Sequence, residues 1–360
     1  MLLLKSISIT QFKNYSKQDF AFEQNIVAIT GTNGKGKTNL LDAIHYLCFT
    51  KSYFTATDSS NVQHGESGFR IEGIIKESLE EINTTIIVRE NGKKEITCNG
   101  TAYEKFSKHI GKYPCVVIAP DDIELISAGS ELRRKFLDTL FSQLDADYLQ
   151  QLIIYNKVLL QRNSYLKQAA QTQNRNNELL DVLDQQLISA GNIIYKKRST
   201  FLPAFQEAVT GFYNHIAGKK EDVTLQYQSQ LAIHSFEQLL KQTRDRDYLM
   251  QRTTSGIHKD DLLFQLNNEA FKQTASQGQR KSLLFSLKLA EAETLKQNKG
   301  FAPILLLDDI FEKLDEQRMH NLLHYVCTKH GGQVFLTDTH RHRMIKAFEE
   351  LKQKIQLIEL

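Results

Sequence analysis

The chain opens on alternation. Ile7 and Ile9 alternate with polar neighbours, as do Phe20 and Phe22, which predicts β structure over residues 1–30. Between them lies Gln11-Phe12-Lys13-Asn14-Tyr15-Ser16, a polar turn with two aromatics. Asn25-Ile26-Val27-Ala28-Ile29-Thr30 reads as a short buried strand, and after a glycine-rich loop Leu40, Leu41, Ile44, Leu47 and Cys48 recur at helical spacing. Alternation returns over 62–100 in Phe69, Ile71 and Gly73, then Thr84, Ile86 and Val88, then Ile96 and Cys98, with Asn91-Gly92 and Asn99-Gly100 as tight-turn dipeptides. This predicts an antiparallel sheet inserted after the first helix.

Val116-Val117-Ile118 predicts another buried strand, ending at Ala119-Pro120-Asp121-Asp122 and followed by a helix with Leu132, Phe136 and Leu137. From about 131 to 215 glycine becomes scarce, glutamine abundant, and helical periodicity persists. Leu152, Tyr155, Leu159 and Leu166 fall on one stripe, and Leu183, Leu187, Ala190 and Ile194 on another. The polar run from Gln171 to Asn177 separates them, so two helices fold back as a short antiparallel arm of a few heptads. Strand patterns return at Val223–Tyr227 and Leu262–Leu266, the latter followed by an Asn267-Asn268 turn. Two further strands are Ile304–Leu307 and Gln333–Thr337.

A length of 360 residues suits about two domains. With 41% hydrophobic and 24% charged residues the composition is that of an ordinary globular protein. A net charge of only +3 does not establish nucleic-acid binding, which would have to come from local patches. Cys48, Cys98, Cys115 and Cys327 are far apart and form no C-x-x-C pair, which predicts reduced thiols rather than disulfides or a zinc knuckle. Leu2-Leu3-Leu4 is too short an apolar run for a signal peptide, and no stretch approaches the ~20 residues of a membrane span. The expectation is a cytoplasmic protein without membrane contact.

The chemistry concentrates in Gly31-Thr32-Asn33-Gly34-Lys35-Gly36-Lys37-Thr38, which fits the G-x-x-x-x-G-K-[ST] phosphate loop. Glycines let backbone N–H groups turn inward around phosphates, Lys37 reaches the β- and γ-phosphates, and the Thr38 hydroxyl takes a Mg²⁺ position. Strand, loop and helix N-terminus complete an anion site. Ile304-Leu305-Leu306-Leu307-Asp308-Asp309 is a Walker B pattern, with Asp308 as the Mg²⁺-linked carboxylate and Asp309 placed to activate the attacking water. Between them, Ser276-Gln277-Gly278 opens an amphipathic helix carrying Leu283, Leu284, Leu287 and Ala290 and forms a second phosphate-binding cap. One chain seldom needs two caps for one nucleotide, so the second suits a partner's ATP. Asp315 follows Walker B, and Asp338-Thr339-His340 follows the last strand; this order resembles ABC-type ATPases, which sandwich ATP between two heads. Lys13 is a lesser candidate for reaching a nucleotide. Arg133, Arg134 and Lys135 form a charge run that either contacts phosphates or is a solvated helix face, and Lys196, Lys197, Arg198, Lys219 and Lys220 offer a basic arm surface. His320 and His324 stand at i, i+4, but without cysteines or an acidic partner they read as surface histidines.

At this point the chain resembles the RecF family, bacterial recombination-repair ATPases related to SMC proteins but lacking their long coiled coil. The resemblance runs end to end. It rests on Phe12-Lys13-Asn14-Tyr15, on residues 31–47, on Ala119-Pro120-Asp121-Asp122 with 133–138, on Gly256-Ile257-His258-Lys259-Asp260-Asp261, on 276–291 and on 305–315. The His-Lys-Asp-Asp element and the cap are the more specific parts. Lys13, Phe54, Glu131 and Ile257 depart from the family pattern.

The resemblance implies an ATP-dependent DNA-binding protein with weak, DNA-stimulated ATPase activity that dimerises head to head on ATP. With RecO- and RecR-like partners it would help load the RecA recombinase at single-stranded gaps, on single- and double-stranded DNA. It implies that Lys37 and Asp309 act in hydrolysis, that Gly31–Thr38 bind ATP, that Thr38 and Asp308 serve Mg²⁺, and that Ser276 and Gly278 act in trans on the partner's γ-phosphate. Asp315 would sit in a communication loop, either Asp338 or His340 would be the terminal-strand switch, and no Q-loop glutamine is assigned. The expected fold is α/β: an ABC-type ATPase head from residues 1–128 and 251–360, with a helical lever domain at 129–250. A transporter's nucleotide-binding subunit shares the motif order, but the long insertion before the cap and its departure from Leu-Ser-Gly-Gly stand against it. A structural SMC-like clamp would need a longer arm and a hinge. A small-molecule kinase would leave the cap and Asp315 without a role.

Overall fold

The computed structural model describes residues 1–312 and 315–360; Lys313 and Leu314, inside the loop after Walker B, lie outside the described residues. The chain divides into two compact units, one of residues 1–123, 211–220 and 276–360, the other of 124–210 and 221–275.

In the first unit, β1 (Leu2–Phe12) and β2 (Tyr15–Ala21) form a hairpin, β3 (Ile26–Thr30) follows, and α1 spans Lys37–Phe49. Next come β4 (Phe69–Glu77), β5 (Glu80–Val88), β6 (Lys94–Cys98), β7 (Thr101–Ala102) and β8 (Cys115–Ile118). Six strands pair antiparallel in the order β2-β1-β4-β5-β6-β7. The Asn99-Gly100 turn joining β6 to β7 has φ of 48° and 78°, the double positive geometry that tight hairpins favour. Ile7, Ile9, Phe69, Ile71 and Ile86 face one core that also takes in Val27, Ile29, Leu306 and Phe335, and most of α1 is buried in it. A helix hydrophobic nearly all round belongs inside a core rather than on its surface.

The second unit holds α2 (Glu124–Ser127), α3 (Ser130–Leu144), α4 (Ala146–Thr172) and the greater part of α5 (Asn177–Ala217). It continues with β9 (Val223–Gln228), α6 (Phe236–Met250), β10 (Asp261–Leu266), β11 (Glu269–Ala270) and α7 (Phe271–Thr274). Residues 251–275, read from sequence as part of the C-terminal ATPase segment, group with this unit because β10 pairs with β9 along its whole length. The Asn267-Asn268 turn is present, with φ of 53° and 64°.

Helices α4 and α5 run antiparallel, tied by Arg162 to Asp184 at 2.7 Å and by Lys197 to Asp145. Leu183, Leu187, Ala190 and Ile194 are buried, as are Tyr155 and Leu166. Leu152 and Leu159 are only half-buried, and the buried face of α4 instead includes Tyr148, Val158 and Arg162. Periodicity counted apolar letters and passed over Arg162, which is wholly buried among Asp184, Asp247 (2.7 Å) and the Thr253 hydroxyl (2.9 Å). Arg198 is buried likewise, on Asp138 (2.6 Å), Asp260 (3.1 Å) and the Tyr148 hydroxyl (2.9 Å). Neither of the first two cations of the 133–135 run is a bare solvated charge: Arg133 forks onto Asp261 at 2.7 and 3.0 Å, and Arg134 donates to Asp260 O at 2.8 Å.

The chain re-enters the first unit with α8 (Gln277–Lys299), β12 (Ile304–Leu307), α9 (Glu316–Thr328), β13 (Val334–Asp338), α10 (Arg341–Glu350) and β14 (Gln356–Glu359). Five strands make a parallel sheet in the order β14-β3-β13-β12-β8. In its register Leu307 lies between Ile118 and Leu336, and Asp338 lies opposite Thr30. The strand ends that carry the phosphate loop, Walker B and Asp338 therefore emerge along one edge, where open α/β sheets bind ligands. Residues 211–220 of α5 pack here, with Asn321 donating to His215 O and Ile216 O at 3.2 and 3.3 Å. Among the described residues no helix is long and apolar enough to cross a membrane, and no cluster of three or more His, Cys, Asp and Glu is arranged to hold a metal.

Arg162→Ala leaves the wholly buried Asp247 without its ion-pair partner, whereas Asp184 keeps Arg244 at 3.1 Å. The substitution is expected to destabilise the protein by about 3–5 kcal/mol, read as a lowered urea midpoint by helix-sensitive circular dichroism.

Candidate nucleotide-binding site

The phosphate loop connects β3 to α1. Gly34 and Gly36 hold φ of 83° and 105°, backbone that a side chain strains. At Gly36 space is also closed: a Cβ would lie 2.6 Å from Asn14 Nδ2 and 3.0 Å from the Tyr15 hydroxyl. Those two residues brace the loop, Tyr15 donating to Gly36 O at 3.0 Å and Asn14 accepting from Asn39 at 2.7 Å. The Lys37 ammonium, nearly buried, donates to Gly31 O at 2.7 Å and Thr32 O at 3.2 Å, so it lies across its own loop.

Thr38 Oγ1 donates to both oxygens of Asp308, at 3.0 and 2.9 Å, across 270 residues of sequence. Thr337, on the neighbouring strand β13, donates to Asp308 Oδ1 at 2.7 Å and accepts from Asp309 N at 2.9 Å. Asp308 is buried, and burial pushes its carboxyl above the usual range against the opposing pull of the Thr337 and Thr38 hydroxyls. Asp309 turns at φ 46°, a left-handed backbone that non-glycine residues adopt where surrounding structure imposes it. A buried carboxylate beside a hydroxyl is a hard-oxygen donor set of the kind Mg²⁺ takes, so these residues fit that ion.

Ser276 and Gly278 stand apart. Ser276 caps α8 in a reciprocal box with Gln279, accepting from Gln279 N at 3.2 Å while Gln279 Oε1 accepts from Ser276 N at 2.9 Å. Among the described residues neither Ser276 nor Gly278 hydrogen-bonds to the phosphate loop or to Asp308. The Arg318 guanidinium covers Gly278 so closely that a Cβ there would lie 2.1 Å from Nη1. Arg318 is itself held by Asp315 at 3.0 Å, and Asp315 caps α9. At the last strand, Asp338 is buried and binds Arg343 Nε and Nη2 at 2.8 and 2.6 Å, whereas His340 is exposed.

This geometry has close counterparts. Residues 3–357 match the family model described as RecF/RecN/SMC N terminal domain. The DNA replication and repair protein RecF of Flavobacterium johnsoniae is 41% identical over 357 residues, 99% of each chain. The chain belongs to the RecF family. A solved structure described as the recombination mediator protein RecF-ATP in the RecFOR pathway is 30% identical, covers 94% of this chain and 92% of that one, and superposes with a TM-score of 0.87. The Smc head domain of Pyrococcus furiosus, at 15% identity and TM-score 0.55 over 98% of this chain and all of that one, shares the fold. The α/β ABC-type head expected from sequence is thus the fold of this RecF-family chain.

Lys13, a lesser candidate for the nucleotide, is engaged elsewhere. Its ammonium pairs with buried Asp42 at 2.5 Å and lies over the rings of Phe12 and Phe54. Asp42 also accepts from Ser52 Oγ at 2.6 Å and Tyr53 N at 2.8 Å, and the Tyr53 hydroxyl donates to Asp122 of the Ala-Pro-Asp-Asp element. Lys288 of α8 lies 3.9 Å from Asp122 and 3.8 Å from Glu291. Asp42 of α1 is thus linked to Lys288 of α8 through Tyr53 and Asp122. Thr337 and Arg318 are not singled out from sequence, and Tyr15 appears there only within the Phe12-Lys13-Asn14-Tyr15 motif, since nothing local marks a threonine one strand away, a tyrosine over a loop, or an arginine over a glycine.

Because burial raises the Asp308 carboxyl, its contribution to stability is full below the ordinary carboxylate value and is lost as pH rises through the raised one. Asp308→Asn is expected to keep or raise the melting temperature at pH 7.5 while abolishing Mg²⁺-dependent ATP turnover; calorimetry and phosphate release check the two halves. Burial likewise pushes Glu291 up to about 7 from an ordinary 4.5, so its contribution is full below about 4.5 and is lost as pH rises through about 7. Glu291→Gln should therefore shrink the fall in stability between pH 5 and pH 8 relative to wild type, measured by urea titration at each pH.

Proposed function

We propose that this chain is an ATP-dependent DNA-binding protein of recombinational repair and replication restart, whose weak ATPase acts as a switch rather than a metabolic activity. The observation that carries the nucleotide half is the Thr38–Asp308 pair, 3.0 and 2.9 Å across 270 residues, at the aligned ends of parallel strands. The family supports the rest: its relatives are named as DNA replication and repair proteins, and one is described bound to ATP. Full-length membership of the RecF/RecN/SMC family argues against a transporter subunit.

In this reading the loop N–H groups of Gly31–Gly36 bind the phosphates, and Lys37 turns from its loop carbonyls to the β- and γ-phosphates. Thr38 and Asp308 hold Mg²⁺, which when bound supplies positive charge against the phosphates. Asp309 orients the attacking water. Ser276 and Gly278, which do not meet their own loop, bind the γ-phosphate of a second copy, so ATP drives a head-to-head homodimer. Asp315 reports that contact through Arg318. The two chain ends make the head and the intervening segment is a lever. DNA, single- or double-stranded, binds mainly through its phosphate backbone, with strong salt dependence and little sequence preference. RecO- and RecR-like partners cooperate in loading a recombinase at gaps.

Light scattering with gapped DNA, with and without ATP, tests the reading. Wild type should shift from monomer to dimer with ATP and retain DNA; Ser276→Arg should lose both while still binding ATP, and Lys37→Arg should lose ATP-dependent dimerisation. A protein that stays monomeric with ATP and ignores DNA would overturn the repair function.

A further inference from the structure

The second unit carries a group of cations that its own carboxylates do not answer. Residues 253–258 form a closed loop, because His258 Nε2 donates to Thr253 O at 3.1 Å while Tyr155 donates to His258 Nδ1 at 2.7 Å. That closure brings Arg252 and Lys259, at its two ends, within electrostatic reach of each other. Arg134, on Asp260 O, adjoins Lys259, and Arg252 N returns to Asp247 O at 3.2 Å, bringing the end of α6 with Arg246 to the same turn. Arg246, Arg252 and Lys259 are exposed.

Asp245, beside Arg246, is exposed and pairs with Arg175 at 3.5 Å, and the other acids nearest in sequence are taken up by their own partners. Asp247 takes Arg162 and the Thr254 hydroxyl, Asp260 takes Arg198 and Tyr227, and Asp261 takes Arg133. Among the described residues Arg246, Arg252 and Lys259 form no ion pair. Partial burial, together with repulsion from Arg252, Arg134 and Arg246 against the pull of Asp247, holds the Lys259 ammonium below its ordinary range. These are long exposed side chains spread over a loop and a helix end, with no cradle for a single phosphate, so they suit a repeating polyanion.

We propose that Arg246, Arg252 and Lys259 form a contact surface for the DNA phosphate backbone on the second unit. This rests on the DNA-binding reading above and adds a contact outside the ATPase head. The Lys259 of the family-specific His-Lys-Asp-Asp element thereby has a role distinct from its neighbours: His258, Asp260 and Asp261 build the loop, and Lys259 is presented by it.

The test is fluorescence anisotropy of full-length protein with ATP and a labelled duplex, titrated with salt. The variant is R246Q/R252Q/K259Q, and the control is K157Q/K167Q/K196Q, three exposed lysines elsewhere on the same unit. The patch variant is expected to lose roughly tenfold or more in affinity and to flatten the log–log salt slope by about 2–3, at about one per lost phosphate contact. Its melting temperature and DNA-free ATP hydrolysis should match wild type. Should the triple variant melt early, Arg252→Gln alone is read, with a slope change of about one expected. Wild-type-like affinity and slope, or an equal loss in the control, would overturn the surface while leaving the DNA-binding reading intact. Wild type that shows no salt-dependent DNA binding would overturn both.

Discussion

A buried carboxylate held by two hydroxyls is the constraint around which the parallel strands of the head are arranged. Asp308 leaves a fully buried strand, and its charge is held by two hydroxyls, Thr38 from the first turn of α1 and Thr337 from β13. Three separated stretches can meet at one group only because β3, β13 and β12 run parallel and in step. Hydroxyls stabilise the carboxylate without neutralising it, as a salt bridge would, which keeps its oxygens suited to a metal ion. The raised carboxyl is the cost of that arrangement, and the left-handed turn at Asp309 follows from ending the strand there.

Away from the site the same chemistry serves a different end. In the second unit Arg162 and Arg198 are buried and paired to two acids each, so their charges are neutralised rather than displayed. Buried ion pairs contribute little net stability over apolar packing, but they tolerate no partial disruption. They fix how α4, α5, α6 and the 253–261 loop meet, and they engage Asp247 and Asp260, while the neighbouring Arg246, Arg252 and Lys259 form no ion pair among the described residues.

The strands, α1, the short antiparallel arm and the turns at Asn99-Gly100 and Asn267-Asn268 were legible from pattern because each depends on residues close in sequence. Motif spacing likewise named Lys37, Thr38 and Asp308 before any geometry. Other features were not legible locally. Arg133 and Arg134 look like a solvated run in the sequence, yet their partners Asp261 and Asp260 lie more than a hundred residues away. The half-buried Leu152 and Leu159 mislead for the same reason: a helix stripe shows where apolar side chains align, but the neighbours that pack on it decide which are covered.

What the sequence by itself determined is the identity of the nucleotide chemistry and the family, because a phosphate loop needs particular residue types at consecutive positions. What only the tertiary structure decided is which groups meet. It set Thr337 on Asp308, Tyr15 on the loop, Arg318 on Gly278 and Lys13 on Asp42, and it left Ser276 and Gly278 away from their own phosphate loop. Such meetings depend on strand register and helix packing across hundreds of residues, and no local pattern of letters carries them.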